Sequence, residues 1–274
     1  MKINFIHKLK LLFRIYIALF KMNSKTAFKV LFKPAETTRY VEFAYLLEFL
    51  KRNNINIDNK SKILDISSPF VLSYVLSRKS KVIKTDINED EKLSIKENEN
   101  LKFKIEDATN LTFENNTFDL VYSISVIEHI YKNYLIAVKE MIRVTKHGGI
   151  IYLTFPVSNS FKEEWIEFDI YSHQYKNGRK TFFQYRFDEE KTNEILNNIC
   201  GVEILRKDIF WERKNGLYDK IIGKLRKYPG NNLKNYFINS LINFYAGFRL
   251  LDSKPKDFNS DNSFGNISII MKKI

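Results

Sequence analysis

The chain alternates between short apolar runs and amphipathic stretches, a pattern typical of strands separated by helices. Apolar runs predict seven strands, at residues 62–66, 81–86, 101–105, 118–123, 150–155, 202–210 and 266–272. Apolar residues at helical spacing predict helices between several of them, at residues 70–78, 134–144 and 188–200. This order predicts an α/β fold of the Rossmann-like, doubly wound type, with a mostly parallel seven-stranded sheet and helices on both faces.

The regions outside this alternation predict additional elements. Residues 1–52 form a predicted N-terminal helical region that includes a helix over 37–51, and residues 53–274 form the α/β domain. Within the domain, the polar and aromatic segment 158–187 is interpreted as a substrate lid. Residues 213–262 are interpreted as a C-terminal helical insertion.

Charge narrows the set of partners. The 274 residues include 45 Lys and Arg against 32 Asp and Glu, which gives a formal net charge of +13. Such an excess favours anionic partners, for example a membrane surface or a phosphorylated substrate. A composition rich in lysine throughout is an equally good explanation. Nucleic acid is a less favoured partner, because the basic residues form no recognisable binding module.

Cysteine and histidine exclude several kinds of site. Cys200 is the only cysteine, so an internal disulfide and a cysteine-based zinc site are excluded. The four histidines show no metal-ligand spacing, and no metal is predicted. This usage fits a reducing, cytoplasmic setting.

The N-terminal segment is basic and apolar. Its longest apolar run, 15–20, is too short to span a bilayer, and the segment has no small-residue cleavage site. Lysines interleaved with leucine and phenylalanine are typical of a helix that lies in a membrane interface. A helix packed on the domain with its lysines reaching to solvent explains the same pattern. Both interpretations remain open at this point.

Polar residues stand where the predicted strands end. In a doubly wound sheet, ligands bind beyond the carboxyl ends of the strands. Asp65 and Ser67 end the first strand, Asp86 ends the second, Asp107 follows the third, and Ser123 ends the fourth. An acid about twenty residues after the first strand is the type of residue that binds ribose hydroxyls. Each acid alone could instead cap a turn.

These residues belong to an ordered series of segments, at 65–68, 86, 107–108, 113–121, 126–130 and 140–149. The series resembles class I S-adenosylmethionine-dependent methyltransferases of the small-molecule branch, and the resemblance extends over about residues 61–156. It implies that S-adenosylmethionine is the cofactor. It also implies that Gly148 and Gly149 end the preceding helix with a positive φ before the fifth strand.

The resemblance assigns the first loop to the methionine part of the cofactor, with Asp65, Ser67 and Ser68 beside it. The family usually has Gly-x-Gly-x-Gly here, whereas this chain has no glycine in the loop. Ser68 is expected to cap the next helix and Pro69 to occupy its first turn. With serine and proline in place of glycine, the loop is expected to lose its tolerance for a positive φ.

The other strand ends receive the rest of the cofactor by the same resemblance. Asp86 would bind the ribose hydroxyls. Asp107 would bind the adenine amino group, with Ala108 beside the ring. Ser123 would line the pocket near the methyl group.

Two histidines are candidates for acid–base catalysis. A base is needed only if the acceptor must lose a proton. His129 follows the fourth strand at the predicted pocket mouth, although it could equally cap that turn. His173 lies in the predicted lid.

Two functions follow as hypotheses. The first is S-adenosylmethionine-dependent methyl transfer to a small-molecule or lipid-linked acceptor, with possible contact to an anionic membrane surface through the N-terminal helix. The second is a non-catalytic methyltransferase-like binding or scaffold protein at a membrane.

Overall fold

The computed structural model describes residues 1–167, 174–228, 230, 232–258 and 263–274. The strands are β1 Lys62–Ile66, β2 Lys81–Asp86, β3 Leu101–Ile105, β4 Phe118–Ile124, β5 Thr145–Val157, β6 Lys162–Ile166, β7 Lys176–Asn177, β8 Lys180–Arg186, β9 Val202–Trp211 and β10 Gly265–Lys273. The α-helices are α1 Phe5–Ala18, α2 Ser24–Phe32, α3 Arg39–Arg52, α4 Val71–Leu76, α5 Glu91–Ser94, α6 Tyr134–Val144, α7 Glu189–Asn197, α8 Leu217–Lys227 and α9 Leu233–Arg249. Short 3₁₀ turns occupy Leu19–Lys21 and Ile127–His129.

Seven strands form the central sheet in the order β3-β2-β1-β4-β5-β10-β9. The pairs from β3 to β5 are parallel, and β10 runs antiparallel to both β5 and β9. The predicted fold class is therefore confirmed. The strand order reverses at β1 and β4, which is where such sheets bind ligands.

The two faces of the sheet are buried in two separate cores. Along β4, Leu120 and Tyr122 contribute to a core that includes residues of α1, α3 and α4. Val121, between them, contributes to the opposite core with residues of α6 and α7. This alternation follows from the two-residue period of a strand, and it confirms the prediction of helices on both faces.

The N-terminal region packs against the domain. One face of α1 is buried through Leu11, Leu12 and Ile15. Lys8 lies on that face, is 2% exposed, and donates from Nζ to the carbonyl oxygen of Gly247 over 2.7 Å. The predicted N-terminal helical region is divided into separate helices. Asn23 starts α2 by accepting a hydrogen bond from the backbone N–H of Thr26.

The two glycines before the fifth strand have a different role from the one expected. Helix α6 ends at Val144, and its C-terminal cap is Thr145 in an extended conformation. Gly148 has the expected positive φ, +77°, but it lies within β5. At Gly149 a Cβ would stand 2.8 Å from the carbonyl oxygen of Lys146. The glycines therefore shape an irregular first part of β5, and the prediction that they cap the helix is wrong.

The segment predicted as a lid contains a small antiparallel sheet in the order β6-β8-β7. We call these three strands the lid sheet. The predicted insertion contains α8 and α9, as two separate helices. His173 lies outside the described residues. None of the helices in the described part of the chain combines the length and apolar character needed to cross a membrane.

Candidate active site

The loop after β1 keeps the backbone shape expected of a glycine loop. Ser67 has φ +51°, so a serine occupies the left-handed conformation that the exchange was expected to lose. Ser68 does not cap the next helix, because α4 begins after Phe70 and has no side-chain cap. Its Oγ instead accepts a hydrogen bond from the backbone N–H of Ile124 over 2.9 Å. This bond joins the loops that follow β1 and β4.

Asp65 holds this loop from inside the protein. Its carboxylate accepts hydrogen bonds from the backbone N–H of Ser68 over 3.0 Å, from the Tyr122 hydroxyl over 3.0 Å, and from the Ser73 hydroxyl. Nζ of Lys84 lies 4.0 Å away and donates to the carbonyl oxygen of Ser68 over 2.5 Å. Burial raises the pKa of Asp65 despite Lys84. Since these groups enclose it completely, Asp65 determines the shape of the loop.

The ends of β2 and β3 present carboxylates closer to the surface. Oδ1 of Asp86 accepts from the backbone N–H of Asn88 over 2.9 Å. Oδ1 of Asp107 accepts from both the N–H and the hydroxyl of Thr109, each over 2.8 Å. Both acids thus stabilise their own turns, and neither Oδ2 has a hydrogen bond within the described residues. Ala108 belongs to the core beside them.

A cavity of about 260 Å³ lies beyond the ends of β4 and β5, and we call it the acceptor cavity. Its walls come from the start of α3, the turn after β4, strand β8 of the lid sheet, helices α8 and α9, and the start of β10. Residues on these elements include Arg39, Glu128, His129, Gln184, Asn243 and Asn266. Ser125 in the cavity wall directly follows Ile124, whose backbone N–H donates to Ser68 in the loop after β1.

Glu42 anchors helix α3 to the wall of the acceptor cavity. The carboxylate is fully buried and accepts from Nη1 of Arg39 over 2.6 Å and from the Ser125 hydroxyl over 2.9 Å. The Thr154 hydroxyl and Nδ2 of Asn266 also donate to it. Burial by itself would raise the pKa of Glu42, but Arg39 and these donors outweigh burial and lower it. One ionised carboxylate therefore links α3, β4, β5 and β10.

Glu128, on the turn after β4, is buried to the same degree with fewer partners. Only 1% of the residue is exposed, and no hydrogen bond reaches its Oε2 within the described residues. Burial raises the pKa of Glu128 to about 8, although Arg39 favours the charged form. A carboxyl that gains a proton near neutral pH is typical of a functional site.

His129 connects the turn after β4 to the lid sheet. Its Nδ1 lies 2.6 Å from the carbonyl oxygen of Phe183 on β8, which requires Nδ1 to carry the proton. Burial lowers the pKa of His129 to about 4, so the ring is neutral at pH 7. Its Nε2 lies 4.0 Å from Oε1 of Glu128. The side chain therefore holds the lid sheet in place at the cavity, whatever its part in proton transfer.

The residues at the strand ends fit S-adenosylmethionine. The β1 loop has its left-handed residue, Ser67, next to the enclosed Ser68. Asp86 and Asp107 each turn one carboxylate oxygen away from their own turn bonds. Ser123 has a fully buried hydroxyl that forms no hydrogen bond in the described part of the chain. A polar ligand at the ends of β1 to β4 would find donors and acceptors at each position.

Sequence reasoning did not select Glu42, Glu128, Arg39 or Asn266 as site residues. Glu42 carried a signal, since it stands four residues before Leu46 on the apolar face of its predicted helix. Glu128 lay next to the selected His129. Asn266 carried no signal in the sequence, because only the antiparallel pairing of β10 with β5 brings its strand to the cavity.

Comparison with known proteins identifies a domain within the chain. Residues 67–153 match the family model described as a methyltransferase domain. A sequence search of curated proteins found no match.

Among solved structures, coclaurine N-methyltransferase bound to N-methylheliamine and SAH aligns with all of this chain (100%) and 82% of its own, at 16% identity and a TM-score of 0.54. The MccD protein aligns over 84% of this chain and 96% of its own, at 16% identity and a TM-score of 0.51. Phosphoethanolamine N-methyltransferase 2 from Haemonchus contortus, in complex with S-adenosyl-L-methionine, aligns over 83% of this chain and 51% of its own, at 15% identity and a TM-score of 0.50.

At these identities the structural matches establish the fold. The family match confirms the predicted enzyme class, whose methyl donor is the predicted cofactor, S-adenosylmethionine. The chain therefore contains a methyltransferase domain at residues 67–153 and has the fold of the class I S-adenosylmethionine-dependent methyltransferases.

Proposed function

We propose that the protein transfers the methyl group of S-adenosylmethionine to a small-molecule acceptor held in the acceptor cavity. The observation that carries this proposal is the position of the cavity. It lies beyond the ends of β4 and β5, and β4 is one of the two strands at which the strand order reverses. Its wall residue Ser125 directly follows Ile124, which bonds to Ser68 in the loop after β1.

The strand-end residues have separate roles in this proposal. Asp86 binds the ribose hydroxyls, Asp107 binds the adenine amino group, and Ala108 contacts the ring. Ser67 and its loop hold the methionine part, while Asp65 and Ser68 keep that loop in shape. The cofactor, when bound, supplies a methyl group on a sulfonium, which leaves by direct displacement.

The lid sheet keeps water out of the reaction. Tyr131 stacks on Tyr175 at 4.3 Å between ring centroids and packs against Phe182 at 4.9 Å. In the wall of the cavity itself, Tyr218 stacks on Phe264 at 3.6 Å between ring centroids. Because displacement at a methyl group needs mainly orientation and a dry site, these contacts contribute directly to the rate.

Calorimetry with S-adenosylmethionine tests the proposal. Wild-type protein is expected to bind it, and mass spectrometry of the acceptor after incubation should show a gain of one methyl group. An absence of binding by a folded protein would rule the proposal out.

We further propose that helices α1, α2 and α9 bind an anionic membrane surface, so that a lipid-linked acceptor could reach the site. These helices expose an apolar–basic face, defined by Phe5, Phe13, Phe28, Phe237 and Leu241. Ring contacts make the face continuous, with Phe5 at 5.1 Å from Phe248 and Phe32 at 4.9 Å from Phe237.

The positive charge of these helices supports an anionic membrane as the partner. The segments 1–35 and 233–251 contain no aspartate or glutamate, whereas Lys10, Lys25, Lys29 and Lys234 are exposed on them. Exposed aromatic residues among lysines suit the cytoplasmic leaflet, whose lipids are anionic.

Vesicle sedimentation tests the membrane proposal with two matched leucines. Leu241 on α9 is 71% exposed and Leu93 on α5 is 82% exposed. Leu241→Ser is expected to weaken binding to phosphatidylserine vesicles severalfold, whereas Leu93→Ser should leave it unchanged. Equal loss in both variants, or equal binding to neutral phosphatidylcholine vesicles, would contradict the proposal. Binding that survives Asp86→Asn would show that the membrane surface acts independently of the cofactor site, as a scaffold function requires.

A further inference from the structure

Two buried oxygen atoms that lack hydrogen bonds within the described residues belong to side chains of the acceptor cavity. They are Oε2 of Glu128 and Oδ1 of Asn266. Asn266 is 2% exposed, and its Nδ2 donates to Oε1 of Glu42 over 3.2 Å. Since a carboxylate can only accept, this bond fixes Nδ2 toward Glu42 and leaves Oδ1 on the other side of the amide.

Such atoms lower the stability of the folded protein. A buried polar atom without a hydrogen bond has lost the hydrogen bonds to water that it forms in the unfolded chain. The rest of the cavity wall shows that the fold can satisfy buried polar groups, since the carboxylate of Glu42, in the same region, accepts hydrogen bonds at both oxygens. In the ionised form of Glu128, which predominates above its pKa of about 8, both atoms are acceptors. Two unsatisfied acceptors at one cavity then indicate a ligand that donates two hydrogen bonds.

We propose that the methyl acceptor is a primary amine whose two N–H groups donate to Oε2 of Glu128 and Oδ1 of Asn266. The inference rests on the proposed methyl transfer and names the chemical class of its acceptor. Glu128 is then a catalytic residue, and Asn266 orients the amine.

Hydrogen counting favours an amine over an alcohol. A hydroxyl has one hydrogen to donate and can satisfy only one of the two acceptors. A neutral primary amine has two N–H donors and one lone pair. With both donors held by the protein, the lone pair is left to attack the methyl carbon.

The electrons and protons balance with the groups at hand. The nitrogen lone pair forms the new N–C bond, and the pair of the breaking C–S bond passes to sulfur, which becomes a neutral thioether. The nitrogen acquires a positive charge and loses one N–H proton to the carboxylate of Glu128. The products are a secondary amine and a protonated Glu128, and total charge is conserved.

Glu128 suits this role better than its neighbours. The raised pKa of Glu128, about 8, makes it a stronger base than an ordinary carboxylate. Glu42 is ionised and fully occupied by donors, and the pKa of His129 is lowered to about 4 by burial. Arg39 and Glu42, which act on Glu128 with opposite charges, complete its surroundings on α3.

Matched amine and alcohol probes test the inference. The pairs are butylamine with butanol, benzylamine with benzyl alcohol, and ethanolamine with ethylene glycol. Each is titrated by calorimetry at pH 9, where Glu128 is ionised, into protein saturated with S-adenosylhomocysteine. We expect at least one amine to bind at least tenfold more tightly than its alcohol. Glu128→Gln should lower that amine affinity by about tenfold or more, because it replaces a charge-assisted hydrogen bond.

The control is Glu203→Gln, an exposed change on β9 that should leave all affinities as they are. Retained binding of S-adenosylhomocysteine shows that each variant is folded. Equal affinity for amine and alcohol, binding of neither to the loaded protein, or an unaffected Glu128→Gln would overturn the amine inference while leaving methyl transfer standing. Failure of the wild-type protein to bind S-adenosylhomocysteine or S-adenosylmethionine would instead remove the proposed function itself.

Discussion

Glu42 and Glu128 are two buried glutamates at the same cavity with opposite electrostatic behaviour. Both are almost fully removed from water, at 0% and 1% exposed. Glu42 has Arg39 and several hydroxyl and amide donors, and its pKa is lowered. Glu128 has one oxygen without a hydrogen bond in the described structure, and burial raises its pKa to about 8.

The difference shows how partners decide what a buried carboxyl does. Where donors surround the carboxylate, the charge is stable and holds elements together. Where donors are few, the group holds a proton near neutral pH and becomes available for chemistry. Asp65 and Asp86 differ in their hydrogen bonds, since several donors enclose Asp65 beneath the β1 loop, whereas Asp86 has one turn bond at the edge of the sheet.

Removing the carboxylate of Glu42, which has several hydrogen-bond donors, should have the largest effect on stability. Glu42→Ala leaves the partly buried guanidinium of Arg39 without its hydrogen-bonded charge partner and is expected to lower the free energy of unfolding by about 3 kcal/mol. Urea denaturation measures this, with Glu203→Ala as the exposed control. Because the pKa of Glu42 is lowered in the folded protein, its stabilisation should be present above about pH 4.5 and lost as the pH falls further. A fall in the free energy of unfolding of less than about 1 kcal/mol would contradict the interpretation of Glu42 as a structural anchor.

Glu128→Gln should act in the opposite direction. The pKa of Glu128 is near 4.5 when exposed and about 8 in the folded protein, so the folded state holds the extra proton between these values. Wild-type stability should therefore fall as pH rises from 4.5 to 8. The variant, which cannot ionise, should exceed it by on the order of 2–4 kcal/mol at pH 9.

Unfolding curves at pH 5 and pH 9 check this prediction for Glu128→Gln. The gain in stability should be much smaller at pH 5, which is close to the unfolded pKa of 4.5, than at pH 9, which lies above both pKa values. A variant that is destabilised equally at both pH values would show that Glu128 is a structural residue like Glu42.

Asp86→Asn extends the comparison to the cofactor site. The amide oxygen keeps the turn bond to Asn88, while the charge that would hold the ribose hydroxyls is lost. The affinity for S-adenosylmethionine should fall by about tenfold, near 1.4 kcal/mol, with the melting temperature unchanged. Calorimetry with Asp90→Asn, an exposed acid in the same loop, provides the control. A lowered melting temperature with normal affinity would assign Asp86 to the turn alone.

Ser67→Gly should have the smallest effect. Glycine relieves the positive φ of +51° but adds freedom to the unfolded chain, so the net gain in stability is about 0.5 kcal/mol. Ser77→Gly, at φ −63°, has no such strain to relieve and should lower stability. Thermal melts of both variants show the difference in sign, and a loss in both would show that Ser67 is held by its side chain.

Much of the sheet could be predicted from local pattern. The bounds of β1, β2, β3 and α6 agree with the sequence prediction, because each is a short buried segment bounded by polar turns. Elements that depend on distant contacts were less predictable. The first part of β5, with Gly148, was predicted as a helix stop, since a positive φ has the same sequence signal in a cap and in an irregular strand.

In the candidate site, too, features that depend on distant contacts could not be predicted from the sequence. The acids at the ends of β1, β2 and β3 were identified by their position, but their roles as turn or loop partners needed coordinates. Ser68 was expected to cap a helix and instead bonds to Ile124, which lies 56 residues away along the chain. A serine has one hydroxyl and many possible partners, so local sequence cannot choose among them.

The sequence by itself determined the α/β alternation, the strand ends where ligands bind and the methyltransferase resemblance, because hydrophobic period and turn residues are local properties. Tertiary structure alone decided that Glu42 is a structural anchor and Glu128 a titratable group. Both are glutamates beside apolar residues in the sequence, and their pKa values depend on donors from α3, β4, β5 and β10. The charge of a buried carboxyl depends on which distant groups the fold brings within hydrogen-bonding distance.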